Sequence, residues 1–278
     1  ELVAQYPLKI RDQARLMVLD RKQGLIKDCY FSDIVDFFDK EDLLVFNDTK
    51  VLAARILGTR KTGGKLEILL LNRKDGLTFN VMIKPARLKL DEEIIFNNGG
   101  LSGRLSAKNE ITFQAKDLDD IYAHGLMPLP PYIKRKSEAL DNIYYQTVYA
   151  RADGSIAAPT AGLHFSESLI KKIESLGVNL AYVTLHIGPG TFKPVKTDDI
   201  TEHIMEPESF SICDETIKLI KEARFKKRRI FTVGTTTLRS LEAYAQGVNA
   251  GQTNLFIYPG YKFKIADCLL TNFHLPKT

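Results

Sequence analysis

One stretch constrains this chain more than any other: Ala157-Ala158-Pro159-Thr160-Ala161-Gly162-Leu163-His164-Phe165, which leads through a short amphipathic segment and a strand into His186-Ile187-Gly188-Pro189-Gly190-Thr191-Phe192. Ser166 is placed to cap a helix whose apolar positions Leu169, Ile170, Ile173 and Leu176 share one face, and Gly177 is placed to close it. Leu180–Leu185 then reads as a strand. Two loops rich in glycine, proline, threonine and histidine therefore flank one helix–strand unit. If the neighbouring strands are parallel, both loops can meet at one sheet end, where open α/β sheets hold their ligands.

The rest of the chain fits such a sheet. Leu43-Leu44-Val45-Phe46 is a continuous apolar run of the kind buried in a central strand, with Asn47-Asp48-Thr49-Lys50 at its carboxyl end. That turn is either a polar strand terminus or a set of acid, hydroxyl and cation facing a ligand. Before it, Arg15–Asp20 and Leu25–Phe31 read as a hairpin with Gly24 in the turn, and Ser32 is expected to cap a short helix through Asp39. Farther on, Asp214 is expected to cap a helix through Arg224, and Arg229–Val233 reads as a strand. Gly234-Thr235-Thr236-Thr237 then turns into a helix with Leu238, Leu241 and Ala245 inward. Free amides and the helix dipole at that turn suit ribose hydroxyls or a carboxylate, although simple capping explains the same residues. Alternating helices and apolar strands from Ile156 onward predict an α/β main domain with a mixed, largely parallel sheet.

Between Gly58 and Ala115 the texture changes. Leu66–Leu71, Leu77–Ile83, Glu93–Phe96, Leu101–Leu105 and Ile111–Phe113 are short strand candidates separated by turn chemistry, with no helix between them. They predict a small antiparallel β-barrel-like domain at 58–115, inserted into a catalytic domain made of 1–57 and 116–278. Its cations include Arg60, Lys61, Lys65, Arg73, Lys74, Lys84, Arg87 and Lys89, read either as a solvated surface or as an RNA platform. Met127–Tyr132 is too proline-rich for helix or central strand and reads as an extended linker.

Composition excludes several classes. No apolar run approaches the roughly 18 residues of a membrane helix, and Cys29, Cys213 and Cys268 lie far apart, so neither a disulfide framework nor a zinc site is indicated. A cytoplasmic location is expected. A net charge of +5 permits an RNA partner without requiring one. The start at Glu1 and stop at Thr278 lead us to expect further residues at both ends. No G-x-G-x-x-G, G-x-x-x-x-G-K-[ST] or G-x-S-x-G is present, which removes the defining features of dinucleotide, P-loop and serine-hydrolase sites. His164, His186 and His274 each sit in a loop beside Gly, Pro or Asn, a setting suited to general acid–base work. No pair has H-x-x-x-H spacing, so no metal is expected.

Several blocks together carry a resemblance: Asn47–Val51 with Ala54-Arg55, Met127–Tyr132, Tyr145–Ala150, Ala157–Phe165, Thr184–Val195, Gly234–Glu242, Phe256–Lys264 and Thr271–Lys277. In this order and composition the chain resembles the S-adenosylmethionine:tRNA ribosyltransferase-isomerases of queuosine biosynthesis. The resemblance implies a transferase and isomerase acting in tRNA modification. A tRNA carrying 7-aminomethyl-7-deazaguanine at the wobble position would receive the ribosyl part of S-adenosylmethionine, giving epoxyqueuosine as adenine and methionine leave. S-adenosylmethionine would be consumed as a substrate, so no cofactor is expected, and neither is a membrane partner. A monomer is expected. The chain departs from the family pattern after His203-Ile204-Met205, where Glu206-Pro207-Glu208 follows at once, and this leaves the role of the His203 region open.

Residue chemistry and motif position together nominate His164, His186 and His274 for proton transfer, with Asp48 as orienter or alternative base. Gly162, Gly188, Gly190 and Gly234 are expected to allow close backbone approaches. Thr160, Thr191, Thr235, Thr236 and Arg239 are expected to contact sugar, carboxylate or phosphate, with Thr49, Lys50, Arg55 and Asn272 completing the binding set. A non-catalytic RNA-binding module and a flavin or pyridoxal enzyme are the rival readings.

Overall fold

The computed structural model describes residues 3–85, 88–192 and 197–274, without the side chains of Asn98, Thr191 and Phe192. In chain order its strands are β1 Arg15–Asp20, β2 Leu25–Tyr30, β3 Leu43–Asn47, β4 Thr49–Val51, β5 Arg55–Arg60, β6 Lys65–Asp75, β7 Thr78–Lys84, β8 Glu93–Phe96, β9 Leu101–Ala107 and β10 Glu110–Gln114. Helices α1 Leu118–Ala123 and α2 Asp141–Tyr144 precede β11 Ala152–Ser155, and α3 Glu167–Ser175 precedes β12 Asn179–Leu185. Then come β13 Glu208–Ile212, α4 Asp214–Phe225, β14 Ile230–Val233, α5 Thr235–Tyr244, β15 Ala250–Thr253 and β16 Cys268–Leu270. Two compact units result, one of Glu1–Lys50, Gln146–Ala152 and Ala158–Thr278, the other of Val51–Tyr145 and Asp153–Ala157.

The first unit is built on a six-stranded sheet of order β15-β13-β12-β3-β14-β16. Strand β3 is parallel to both β12 and β14, and β14 is parallel to β16. The pairs β12–β13 and β13–β15 are antiparallel, so the sheet is mixed, as expected. All five residues of β3 are buried, the reason its sequence is an unbroken apolar run rather than an alternation. Leu44 and Phe46 join Phe31, Phe165, Leu169, Ile173 and Val233 in one cluster. Phe165 packs edge-on against Phe31 and Phe46, with centroids 4.9 and 5.0 Å away. Helix α5 packs against β3, β12 and β14, and α4 against β3 and β12.

Helix α3 forms for the reasons its sequence suggests. The Ser166 hydroxyl accepts from the Leu169 amide at 3.1 Å, Leu169 and Ile173 are buried, and Gly177 at φ 82° ends it in a conformation that disfavours side chains. Two other starts differ in detail. The segment after the hairpin is a 3-10 helix over Phe31–Phe37 capped by the Asp33 carboxylate, which accepts from the Tyr30 amide at 2.9 Å, rather than by Ser32. In α4 the N-cap position belongs to Cys213, and Asp214 is the first helical residue, where its charge meets the dipole. In α5 Leu238 and Leu241 are buried as expected, and Ala243 rather than Ala245 joins them.

The second unit contains a closed antiparallel barrel of order β10-β7-β6-β5-β8-β9, and closure leaves no free strand edge. Ile56, Leu66, Ile68, Leu70, Phe79, Val81, Ile94, Phe96, Leu101, Leu105, Ile111 and Phe113 fill its interior from alternate positions. Five strands were legible; β5 is the sixth. Gly58 looks like a boundary in sequence but is an inward position of β5, where a Cβ would stand 2.7 Å from the Phe96 ring and 2.9 Å from Ile94. Met127–Tyr132 is neither helix nor strand and belongs to this second unit.

Replacing Gly58 by Ala should therefore overpack the barrel and cost about 1–3 kcal/mol. Urea unfolding of the two proteins checks this, with an unchanged midpoint counting against the close approach.

Candidate active site at the carboxyl ends of the parallel strands

Because β3, β12, β14 and β16 run the same way, their carboxyl ends deliver Asn47-Asp48-Thr49, His186-Ile187-Gly188, Gly234-Thr235-Thr236 and Thr271-Asn272 to one edge. Asn47, which is fully buried, ties three of these ends together. Its Nδ2 donates to the Leu185 carbonyl at 3.0 Å and to Thr236 Oγ1 at 3.2 Å. Its Oδ1 accepts from the amides of Leu185 at 3.0 Å and Thr49 at 3.2 Å. One side chain thus satisfies backbone groups that the ends of β3 and β12 would leave open.

Two histidines of the edge have polar side-chain partners. The Thr49 hydroxyl and His186 Nδ1 share a hydrogen bond of 2.9 Å, with the His186 amide donating to the Ser209 carbonyl. His164 Nε2 lies 3.0 Å from Asn272 Oδ1, and its ring is 5.2 Å from that of Phe31. With Asn272 accepting through Oδ1, Nε2 carries the proton and Nδ1 is left as the basic nitrogen. Burial pushes the His164 imidazole below the usual histidine range; the hydrogen bond to Asn272 opposes this and the nearby Arg11 charge adds to it. Arg11 reaches the same loop, donating to the Leu163 carbonyl at 3.0 Å.

Asp48 is buried and both carboxylate oxygens are engaged. Oδ1 accepts from Thr184 Oγ1 and Oδ2 from Arg151 Nε, each at 2.6 Å. In this arrangement Asp48 holds the Arg151 side chain. Glu208 works similarly: one oxygen accepts from the Gly188 amide at 3.0 Å and the other pairs with Arg239, so the Arg239 charge is committed to a buried carboxylate. This clamp fixes the start of the His186–Phe192 loop to α5.

The glycines divide by cause. Gly162 admits Tyr149, since a Cβ there would stand 1.9 Å from the Tyr149 hydroxyl and 3.0 Å from Thr147 Cγ2. Gly234 has φ 87°, which a side chain would strain, and its amide donates to the Leu270 carbonyl at 2.8 Å. A Cβ on Gly188 would meet nothing within 4 Å, and one on Gly190 would meet only the Glu206 side chain, at 2.7 Å. Gly188 therefore leaves room beside the loop, whereas Gly190 is close-packed against Glu206. Thr160 opens a 3-10 turn and is half-buried, while Thr235 is exposed and Thr236 half-buried at the start of α5.

Other nominated residues lie elsewhere. Lys50 and His274 are exposed. Arg55 belongs to β5 of the second unit, where it donates to the Leu129 carbonyl at 3.0 Å and lies 3.4 Å from Glu67. Arg87, the side chain of Thr191, and the parts of the resembling blocks at 193–195 and 275–277 lie outside the described residues. The His203 ring packs against that of Phe256 at an interplanar angle of 60°, with centroids 4.9 Å apart. Sequence reasoning missed Asn47, Arg151, Thr184 and Glu208 as site residues. Their signal was present: an amide closing a buried strand, a cation just after the Tyr145–Ala150 block, and a carboxylate at the departure near His203.

A polar edge at the ends of parallel strands, holding two buried-side histidines and two buried carboxylate–arginine pairs, on a chain that also carries a closed barrel, defines an α/β enzyme with an inserted β domain. The family model described as "Queuosine biosynthesis protein" matches residues 1–278. The chain is similar to the S-adenosylmethionine:tRNA ribosyltransferase-isomerase of Sulfurihydrogenibium sp. (strain YO3AOP1), with 47% identity over 285 residues, covering 100% of this chain and 85% of that protein. The protein of the same name from Macrococcus caseolyticus (strain JCSC5402) is 46% identical over 294 residues at the same coverages. The crystal structure of an S-adenosylmethionine tRNA ribosyltransferase from Thermotoga maritima matches with a TM-score of 0.52 and 32% identity, covering 100% of this chain and 83% of that one. The chain belongs to the queuosine biosynthesis protein family.

Two outcomes follow from the geometry. Gly162→Ala should destabilise the protein by about 1–3 kcal/mol through overpacking, and Tyr149→Phe should return part of that loss, because the hydroxyl it removes is the atom struck; equal losses in single and double variants would refute the contact. For His164 the folded value is lowered, so the neutral ring is favoured by folding. Its stabilising contribution is present above the ordinary value of 6.5 and lost as pH falls through the folded value. The melting temperature of the wild type should therefore fall more than that of His164→Gln between about pH 7.5 and about pH 5.5.

Proposed function

We propose that this chain transfers and isomerises the ribosyl moiety of S-adenosylmethionine onto 7-aminomethyl-7-deazaguanine at the tRNA wobble position, giving epoxyqueuosine and releasing adenine and methionine. The observation that carries this reading is the match of the whole chain, at 46 and 47% identity, to proteins named for that reaction. The polar edge supplies suitable groups. The chemistry needs a base for a proton next to the sulfonium, an acid to help adenine leave, and exclusion of water from the intermediates. His164, half-buried and held below the usual histidine range, is our candidate base, and His186, hydrogen-bonded to Thr49, our candidate acid; His274 is the remaining nominee for proton transfer. Asp48 and Glu208 serve as orienters through Arg151, Thr184, Arg239 and Gly188.

The donor is consumed, so the reaction calls for no separate cofactor. We take the working unit as a monomer and place it in the cytoplasm with its tRNA. For the RNA we favour the barrel unit. Arg60, Lys61 and Lys74 are committed to Glu92, Glu93 and Glu110, whereas Lys65, Lys84 and Lys89 are exposed and without ion pairs among the described residues. Those three cations suit phosphate contacts.

Wild-type protein mixed with precursor tRNA and S-adenosylmethionine should release adenine and methionine in single turnover. His164→Ala and His186→Ala should slow this by about 10²- to 10⁴-fold; wild-type rates in both would remove the histidines from the chemistry, and no adenine from wild type would reject the reaction. Lys84→Glu with Lys89→Glu should weaken tRNA binding and flatten its salt dependence without changing S-adenosylmethionine affinity, and equal salt slopes would take the barrel out of the RNA site.

A further inference from the structure

Arg151 is held as no other cation at the polar edge is. Its own amide and that of Ala152 both donate to the Asp48 carbonyl, at 2.9 and 3.2 Å, which ties the segment to the end of β3. Its Nε donates to Asp48 Oδ2 at 2.6 Å, and the guanidinium carbon stands 5.0 Å from the centre of the Tyr182 ring. The side chain is nevertheless 65% exposed. Among the described residues Nη1 and Nη2 take no hydrogen bond or ion pair, so the end-on edge of the fork, the one that grips two oxygens at once, faces outward. Arg239 and Arg229, by contrast, spend their terminal nitrogens on Glu208 and on Asp39, Asp42 and the Phe37 carbonyl.

Stability does not account for this arrangement. An ion pair with an exposed arginine contributes little, and burying the Asp48 carboxylate to make it costs several kcal/mol on the usual scale. What the burial secures is direction: a cation fixed by backbone, carboxylate and ring, whose anchor Asp48 directly precedes Thr49 of the Thr49–His186 pair at the end of β3. A side chain already ordered in this way loses little further entropy when it binds.

We propose that Arg151 is an oxyanion-binding residue of the site, with Asp48, Tyr182 and Thr184 as its positioning residues. Resting on the functional reading above, its ligand is either the carboxylate of the methionine part of S-adenosylmethionine or a phosphate of the tRNA. Both present the paired oxygens that the free edge of the guanidinium matches, and lysine, a single-point cation, matches neither as well.

Titrations of intact protein separate the two sources and the null. If the carboxylate is the ligand, Arg151→Lys and Arg151→Met should bind S-adenosylmethionine about 10- to 100-fold more weakly, while decarboxylated S-adenosylmethionine binds wild type and variants alike. If phosphate is the ligand, S-adenosylmethionine affinity should hold, tRNA affinity should fall, and the slope of log affinity against log salt should shrink by about one. Asp48→Asn, which leaves the arginine charge in place but loosens it, should reproduce part of whichever loss is seen. Should Arg151→Met fold poorly because Asp48 is left buried and alone, the double variant with Asp48→Asn removes that charge and carries the same measurement. Variants that melt like wild type and bind both ligands with wild-type affinity and salt slope would overturn the assignment. Wild-type protein that releases no adenine would instead overturn the functional reading, so the two failures are distinguishable.

Discussion

The amide of Asn47 is the interaction on which the polar edge depends. Parallel strands end with carbonyls and amides pointing past their neighbours, and a site built there must satisfy those groups without filling the space a ligand needs. Asn47 does so from inside the sheet, serving Leu185 twice, Thr49 once and Thr236 once. The consequence is positional. Thr49 is set against His186, Asp48 is turned toward Thr184 and Arg151, and the first turn of α5 is drawn to β3. An aspartate in its place would keep the acceptor and lose both donated bonds.

Buried carboxylates form the second level of organisation, and they sit at both ends of the sheet. Asp42, just before β3, is engaged by Arg229, while Asp48, just after it, is engaged by Arg151. Glu242 is fully buried in α5 and has no cationic partner among the described residues; it accepts instead from the amides of Lys264, Ile265 and Ala266 and from the Tyr261 hydroxyl, and so pins the segment before β16. Each acid removes one degree of freedom from a loop at the cost of desolvation, which is a trade made for geometry more than for stability. The exposed, outward-facing Arg151 is where that investment meets solvent.

Much of the fold was legible locally. The four-residue apolar run Leu43–Phe46 suits a strand buried on both faces, and β3 carries it. Ser166 and Gly177 delimit α3 because capping and left-handed closure are local chemistry. The barrel strands alternate because one face is inside. Where local signals were incomplete, a neighbour supplied the rest: Gly58 spaces a strand for Phe96, Gly162 makes room for Tyr149, and Asp33 rather than Ser32 takes the free Tyr30 amide.

By itself, then, the amino-acid sequence determined the central strands β3, β12 and β14, five of the six barrel strands, where α3 starts and stops, that a small barrel interrupts an α/β chain, and which family the ordered motifs belong to. Only the tertiary structure decided which polar residues meet. That Asn47 bridges residues 138 and 189 positions away, that Asp48 faces Arg151 across 103, and that His164 is joined to Asn272 across 108 are facts of parallel pairing and strand order. No local preference encodes them, because each partner's own neighbourhood is satisfied equally well in its absence. It is the burial of the shared sheet that removes water as the alternative partner and leaves these side chains only one another.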